Sequence, residues 1–244
     1  MKLQELYEKL KEDITSAIER DPAARNAIEV LLFYPGLHAI WSHRIAHFLW
    51  IKERKLLARL LSHASRFLTG VEIHPGAKLG KRVFIDHGMG IVIGETSEVG
   101  DDVLLYQGAV LGGVSTEHVK RHPTLEDRVI VGAGAVILGN VRIGHDSRVG
   151  AGSVVVRDVP PNSTLVGVPA RIVGERPAKL DLQHDDLPDP LNAILDQIGE
   201  KLHRLDEKLQ LVEKALAKGK IIRAEGIFKR GASKAVRKKR AQEE

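Results

Sequence analysis

The strongest constraint on this chain is a period of six. Aliphatic residues stand at Ile73, Leu79 and Ile85, at Ile93, Val99, Leu105 and Leu111, and at Leu125, Val131, Ile137, Ile143, Val149 and Val155. All thirteen positions are Ile, Leu or Val. Glycine follows many of them, and four residues later comes a small or β-branched residue such as Ala77, Val83, Ala109, Ala135 or Ser153. An amphipathic helix repeats every 3.6 residues and a strand every 2, so neither yields six. The pattern predicts a parallel β-helix, in which each hexapeptide forms one short strand and one corner. The aliphatic side chain points inward and stacks on its copies in neighbouring coils. Small residues and glycine take corners where a Cβ would crowd or φ must be positive.

Two interruptions break the count. The spacing is eight between Ile85 and Ile93, and the two extra residues are expected around Met89 and Gly90. It is fourteen between Leu111 and Leu125, which throws residues 112–124 outside the wall as a loop.

The flanks are of another kind. Residues 1–70 read as a helical domain: Leu3, Leu6, Leu10, Ile14 and Ile18 keep a helical period. Asp21 before Pro22 is expected to N-cap the next helix, with the proline at its first position. Tyr34-Pro35-Gly36 then breaks the chain. The β-helix is expected over 71–174 and a polar linker over 175–190. Over 191–217, Leu191, Leu195, Ile198, Leu202, Leu205, Leu209, Val212 and Leu216 alternate spacings of four and three, the seam of a coiled coil. One helix cannot bury that seam alone. Self-association is expected, with a three-stranded coil the natural continuation of a trimer; the alternative is a helix folded back on its own solenoid. The fold class is therefore α+β: an N-terminal α-helical domain, a left-handed parallel β-helix, a coiled-coil helix and a basic tail.

Charge adds little about function. Of 37 Lys and Arg and 32 Asp and Glu, 10 and 3 lie in the tail, 218–244, leaving 27 basic against 29 acidic residues elsewhere. The tail reads as a mobile solvated segment rather than a nucleic-acid arm, because Phe228 is its only aromatic. There is no cysteine, which excludes disulfides and thiolate chemistry. No apolar run is long enough for a membrane span and the first residues are charged rather than signal-like, so a cytoplasmic protein is expected.

Several segments together resemble the serine O-acetyltransferases: FIDHGMGIVIGE (84–95), QGAVLGG (107–113), KRHPTL (120–125), VGAGAVILGNVRIG (131–144), VGAGSVV (149–155) and GVPARIVG (167–174), with ERDPAARNAIEVLLFYPGLHAIWSHRIAHFLW (19–50) upstream. The resemblance implies transfer of acetyl from acetyl-CoA to the hydroxyl of L-serine, a step of cysteine biosynthesis, with no metal. An alcohol attacks a thioester poorly near neutral pH, so a base is needed. His87 matches the family's base, and imidazole titrates near working pH. Glu72, fifteen residues earlier, matches the carboxylate that orients it. Asp21 and Asp86 match positions facing the substrate ammonium, and Arg121 and His122 those meeting its carboxylate and hydroxyl. Gly113, Ala133, Ala151 and Gly152 match acetyl-CoA contacts, and Arg148 a basic position near the nucleotide phosphates.

The family's active sites lie between adjacent subunits, so a homotrimer is implied, with pairing of trimers left open by the shorter helical domain. Inhibition by cysteine, which competes for the serine pocket, is a further implication. Val114-Ser115-Thr116 departs from the usual Thr-Gly-Lys and is expected to alter CoA affinity. The last residue, Glu244, is not the isoleucine that family members insert into O-acetylserine sulfhydrylase, so that complex is not implied. Three other readings compete. A related acyltransferase could act on sugars or antibiotics, and a γ-type carbonic anhydrase could draw zinc ligands from His74, His87, His118 and His122. The third is a scaffold working through coil and tail.

Overall fold

A computed structural model describes residues 3–175 and 190–217. The tail, 218–244, and most of the expected linker lie outside the described residues. The chain divides into two compact units, residues 1–190 and 191–244.

In the first unit, four helices precede the solenoid: α1 (Leu3–Arg20), α2 (Ala27–Phe33), α3 (Pro35–Ile51) and α4 (Lys55–Thr69). The N-cap of α2 is Asn26, whose side chain accepts the Glu29 amide at 2.9 Å. The cap expected at Asp21 is not there. Asp21 instead closes its own turn, its Oδ1 accepting from the Ala23 amide at 2.8 Å and its carbonyl from the Ala24 amide at 3.0 Å. Asp-Pro here makes a turn that delays the helix by five residues. Pro35 breaks α2 and also opens α3 as its first residue.

The solenoid follows coil by coil. The first holds β1 (Glu72–Ile73), β2 (Lys78–Leu79) and β3 (Phe84–Ile85), the second β4 (Val92–Ile93), β5 (Glu98–Val99) and β6 (Leu104–Leu105). The third holds β7 (Val110–Gly112), β8 (Thr124–Leu125) and β9 (Ile130–Val131), the fourth β10 (Val136–Leu138), β11 (Arg142–Ile143) and β12 (Arg148–Val149). A fifth begins with β13 (Val154–Val155) and closes with the antiparallel hairpin of β14 (Ser163–Gly167) and β15 (Ala170–Glu175).

Strands of successive coils pair in parallel to give three sheets, with β1-β4-β7-β10-β13 on the first face, β2-β5-β8-β11 on the second and β3-β6-β9-β12-β14 on the third. The registers match the hexapeptide reading residue for residue. Ile73, Ile93, Leu111, Ile137 and Val155 pair in one column, Ile85, Leu105, Val131, Val149 and Leu165 in another. Leu79, Val99, Leu125 and Ile143 form the remaining column, on the second face. Of the thirteen inward positions all but Leu79 are buried. At about 25 cal/mol per Å² of apolar surface, these columns are the main stabilising term of the unit.

The corner between the second and third faces repeats a left-handed residue at Arg82, Asp102, Arg128, Asp146 and Asn162. Alternating charge turns this strained column into ion pairs: Arg82 with Asp102, and Arg128 with Asp146 at 2.7 Å. Arg20, at the end of α1, joins Asp102 at 2.6 Å and ties the helices to that corner.

The helices cover the third face, where Phe84, Leu104 and Ile130 point outward and pack with Ala17, Val30 and Leu37. Gly36 sits so close that a Cβ there would lie 2.2 Å from the Ile85 carbonyl oxygen. Buried Asp13 accepts from both nitrogens of the Arg44 fork and, at 2.9 Å, from Trp41 Nε1, which locks α1 to α3.

A line of imidazoles joins α3 to the first corner. His43 lies 5.6 Å from His47, whose Nδ1 faces the Pro75 carbonyl at 2.8 Å, and His74 meets the Trp50 edge at 5.0 Å. Burial, with His47 next, holds His43 down at about 3; burial, with Arg59 next, holds His74 at about 4. Both fold neutral and bind a proton more readily when unfolded, near the ordinary 6.5. Their contribution is therefore complete above pH 6.5 and is lost as pH falls toward 4 and then 3. Urea unfolding at a series of pH values should show stability dropping across this window. His43→Gln should flatten the slope by up to one proton, roughly 1.4 kcal/mol per pH unit; an unchanged slope would count against the assignment.

Candidate active site

The first interruption of the repeat lies at the corner between the third and first faces. Regular coils cross this corner with a backbone ladder, in which the amides of Gly108, Gly134 and Gly152 donate to the carbonyls of Met89, Gln107 and Ala133 at 2.8 to 2.9 Å. Met89 and Gly90 thus stand in register with Gln107 and Gly108, and Asp86 keeps its regular bond to the Leu105 carbonyl. The inserted residues are His87 and Gly88, not Met89 and Gly90 as the spacing suggested. A ladder of this kind is a backbone property, and hexapeptide counting cannot see which residues drop out of it.

Both inserted residues have positive φ, +60° at His87 and +85° at Gly88, and the Gly88 amide donates to the Asp86 carbonyl at 2.7 Å. This three-residue turn is strained for a residue with a side chain. It leaves the His87 side chain 73% exposed while Ile85 and Gly88 are buried. A Cβ at Gly88 would lie 2.9 Å from Val71 Cγ2, so the turn needs glycine there as well.

Three carboxylates stand on this side. Asp86 Oδ1 is 3.9 Å from His87 Nε2. Asp21 Oδ2 accepts from the Tyr34 hydroxyl at 2.5 Å. Glu72 does not bond to His87; it pairs with Arg66, at the end of α4, at 3.1 Å. The expected base-orienting pair is therefore not formed in this structure, because a guanidinium holds the carboxylate.

Burial pushes the Tyr34 phenol well up, reinforced by Asp21, Glu29 and Asp86. Burial also raises Tyr106, with Asp86 adding to the effect and Arg148 opposing it. Two neutral phenols beside two carboxylates make a patch suited to a cation. The sequence reading missed both tyrosines. Tyr106 could have been found, since it occupies the position of Asp86 one coil later; Tyr34, read only as part of a break, could not.

Of the residues matched to acetyl-CoA, Ala133, Ala151 and Gly152 follow His87 up the same corner. Arg148 does not face open solvent. It is 7% exposed on the third sheet, with its charge acting on Tyr106.

The second interruption, the loop over 112–124, returns at the corner between the first and second faces, where Lys120, Arg121 and His122 are gripped by Gly94, Glu95 and Thr96. Thr96 Oγ1 accepts from the amides of Arg121 at 3.0 Å and His122 at 3.1 Å. The Thr96 amide donates to His122 Nδ1 at 3.2 Å, and its hydroxyl lies 2.9 Å from the same nitrogen. The Thr96 carbonyl accepts from Lys120 Nζ at 2.5 Å, and Glu95 takes Arg121 Nη2 at 2.8 Å. A Cβ on Gly94 would lie 2.0 Å from the buried His122 ring. With Nδ1 accepting, the imidazole proton sits on Nε2. Burial and the Arg121 charge lower the His122 pKa, which keeps it neutral with a single ring donor at Nε2. Gly113 lies against this clasp, its would-be Cβ 3.0 Å from His122 Nε2. Thr96 was not singled out from sequence.

The matched residues thus form two groups on different edges of one triangular solenoid. Asp21, Asp86, His87, Ala133, Ala151 and Gly152 share one edge; Gly113, Arg121 and His122 share another. Among the described residues, no three His, Asp or Glu side chains are grouped to hold a metal ion.

Comparison with known proteins gives a consistent picture. Residues 1–42 match the family model for the N-terminal region of serine acetyltransferases, and residues 122–157 the bacterial transferase hexapeptide model. A Bacillus licheniformis serine acetyltransferase is 50% identical over 85% of this chain and 97% of its own length. A Neisseria gonorrhoeae serine acetyltransferase solved in complex with serine is 44% identical with a TM-score of 0.67, covering 70% of each chain. One from Brucella abortus, solved in complex with coenzyme A, is 43% identical with a TM-score of 0.69, covering 72% of this chain and 70% of that one.

The clasp is testable without an assay of activity. Thr96→Val removes the acceptor of two loop amides and should cost about 1 to 3 kcal/mol. Amide hydrogen exchange should rise across 112–124, and the His122 pKa followed by NMR should move. Thr96→Ser should restore all three. If valine is silent, the loop is held by something else.

Proposed function

The chain belongs to the serine acetyltransferase family, and we propose that it transfers the acetyl group of acetyl-CoA to the hydroxyl of L-serine with His87 as general base. The observation that carries this assignment is the turn that sets His87 outside the wall, beside an anionic patch and in line with the glycine corner. The His87 imidazole takes the serine hydroxyl proton as the oxygen attacks the thioester carbonyl. The tetrahedral intermediate collapses with cleavage of the carbon–sulfur bond, and the imidazolium returns the proton to the leaving sulfur. The products are O-acetyl-L-serine and CoA. Such a base is worth about 10²- to 10⁴-fold in rate.

The remaining roles follow from charge and reach. Asp21 and Asp86 receive the ammonium, with the Tyr34 and Tyr106 phenols neutral beside them. The Arg121 guanidinium meets the carboxylate, and the Nε2–H of His122 donates to the substrate. Glu72 orients His87 when its carboxylate leaves Arg66 for the imidazole. The pantetheine of acetyl-CoA runs along Ala133, Ala151 and Gly152, reaching Gly113 at the loop.

One chain cannot supply both groups at one point, because they stand on different edges. A cyclic homotrimer resolves this: each edge bearing His87 faces the edge of the next copy that bears Arg121, and a head-to-tail contact of this kind closes into a ring. Phe67, Leu68 and Met89 support it, since these apolar side chains flank the His87 corner and are exposed in the single chain. Cysteine carries the same ammonium and carboxylate as serine and should compete with it. No helix among the described residues is long and apolar enough to cross a membrane, which is compatible with work in the cytoplasm.

Thiol release from acetyl-CoA with L-serine tests the assignment. His87→Ala should lower kcat by at least about 10²-fold, and Arg121→Ala should act mainly on the KM for serine. Co-refolding the two variants in equal amounts, assayed at serine well below the native KM, should recover about a quarter of the native sites if each site spans two copies. No recovery would place the whole site in one chain, and acetylation of sugars with none of serine would overturn the function. Added cysteine should raise the apparent KM for serine and leave kcat unchanged.

A further inference from the structure

All but the first residue of α5 (Pro190–Ala217), a helix of 28 residues, lies in the second unit. Ile198, Leu202, Leu205, Leu209 and Val212 leave one apolar stripe 45 to 61% exposed along it. In heptad terms, leucine fills every a position from Leu195 to Leu216, and β-branched Ile198 and Val212 alternate with leucine at d. Leucine at a with isoleucine at d favours three or four strands over two.

The residues flanking the stripe specify what covers it. Position g holds Lys201 and Lys208; position e holds Asp206 and Glu213. In a parallel coiled coil the g residue of one helix faces the e residue five positions on in its neighbour. Here that brings Lys201 to Asp206 and Lys208 to Glu213, opposite charges at both sites. An antiparallel pairing sets g against g and e against e, which would place lysine on lysine and carboxylate on carboxylate. The four charges agree with each other only when the helices run the same way.

We propose that α5 is a parallel self-association module whose partners are other copies of this chain, held in register by the Lys201–Asp206 and Lys208–Glu213 pairs between copies. The number of strands, three, rests on the trimer proposed above; the direction and register rest on α5 alone. The module would hold copies together independently of substrate.

The absence of cysteine allows a clean test in the full-length protein. Leu209→Cys treated with a short bis-maleimide should give an inter-chain product by itself, because identical a positions face one another only in a parallel coil. If a product forms only when Leu209→Cys is mixed with Ile198→Cys, the coil is antiparallel and the proposal fails. No inter-chain product in either case means the stripe is covered by something else, such as the chain's own solenoid, and also overturns it.

Reversing both lysines, Lys201→Glu with Lys208→Glu, should cut cross-linking yield at Leu209→Cys by about tenfold. Adding Asp206→Lys with Glu213→Lys should restore it, which a mere change of surface charge would not do. Mass measured by light scattering separates this from the trimer reading. An assembled protein that does not cross-link at position 209 sinks the coil alone, whereas a monomer that does not cross-link sinks both.

Discussion

The structure depends on one constraint: each inward aliphatic residue must lie over its counterpart in the next coil while the backbone hydrogen bonds between coils remain in step. The column from Ile73 to Val155 cannot slip by one residue without turning its side chains to solvent. Extra residues can therefore be accommodated only outside the wall. That is why the two departures from period six produce two outward features, the turn at His87 and the loop that returns at His122.

Those two features have complementary electrostatics. Around His87, Asp21 and Asp86 are backed by phenols that stay protonated. Across the first face, Arg121 and a neutral His122 are held by Glu95 and Thr96. The first group suits an ammonium and the second a carboxylate. The strain at His87 is held in place by a rigid solenoid, which lets a single exposed imidazole keep a defined position without a hydrogen bond to Glu72.

Legibility varied with the range of the interaction. The thirteen inward positions and the three faces could be read because they depend on local periodicity alone. The cap of α2 could not: Asp21-Pro22 is a good start signal, but Tyr34 and Ala23 draw the aspartate into a turn, and Asn26 caps instead. Arg148, matched to a position near nucleotide phosphates, is buried on the third face, and burial is a matter of tertiary packing that spacing does not report. Thr96 is an unremarkable residue in the repeat until the returning loop presents two amides and an imidazole to it.

The sequence by itself determined the solenoid, the helical flank and the heptad seam, since each is written in spacing. Only the tertiary structure decided that His87 and Gly88 are the inserted pair, that Glu72 is held by Arg66, and that His87 and Arg121 stand on separate edges. The physical reason is the same in each case. Spacing along a chain fixes which way a side chain turns relative to its own strand, whereas partnership depends on what neighbouring coils and helices bring within hydrogen-bonding distance.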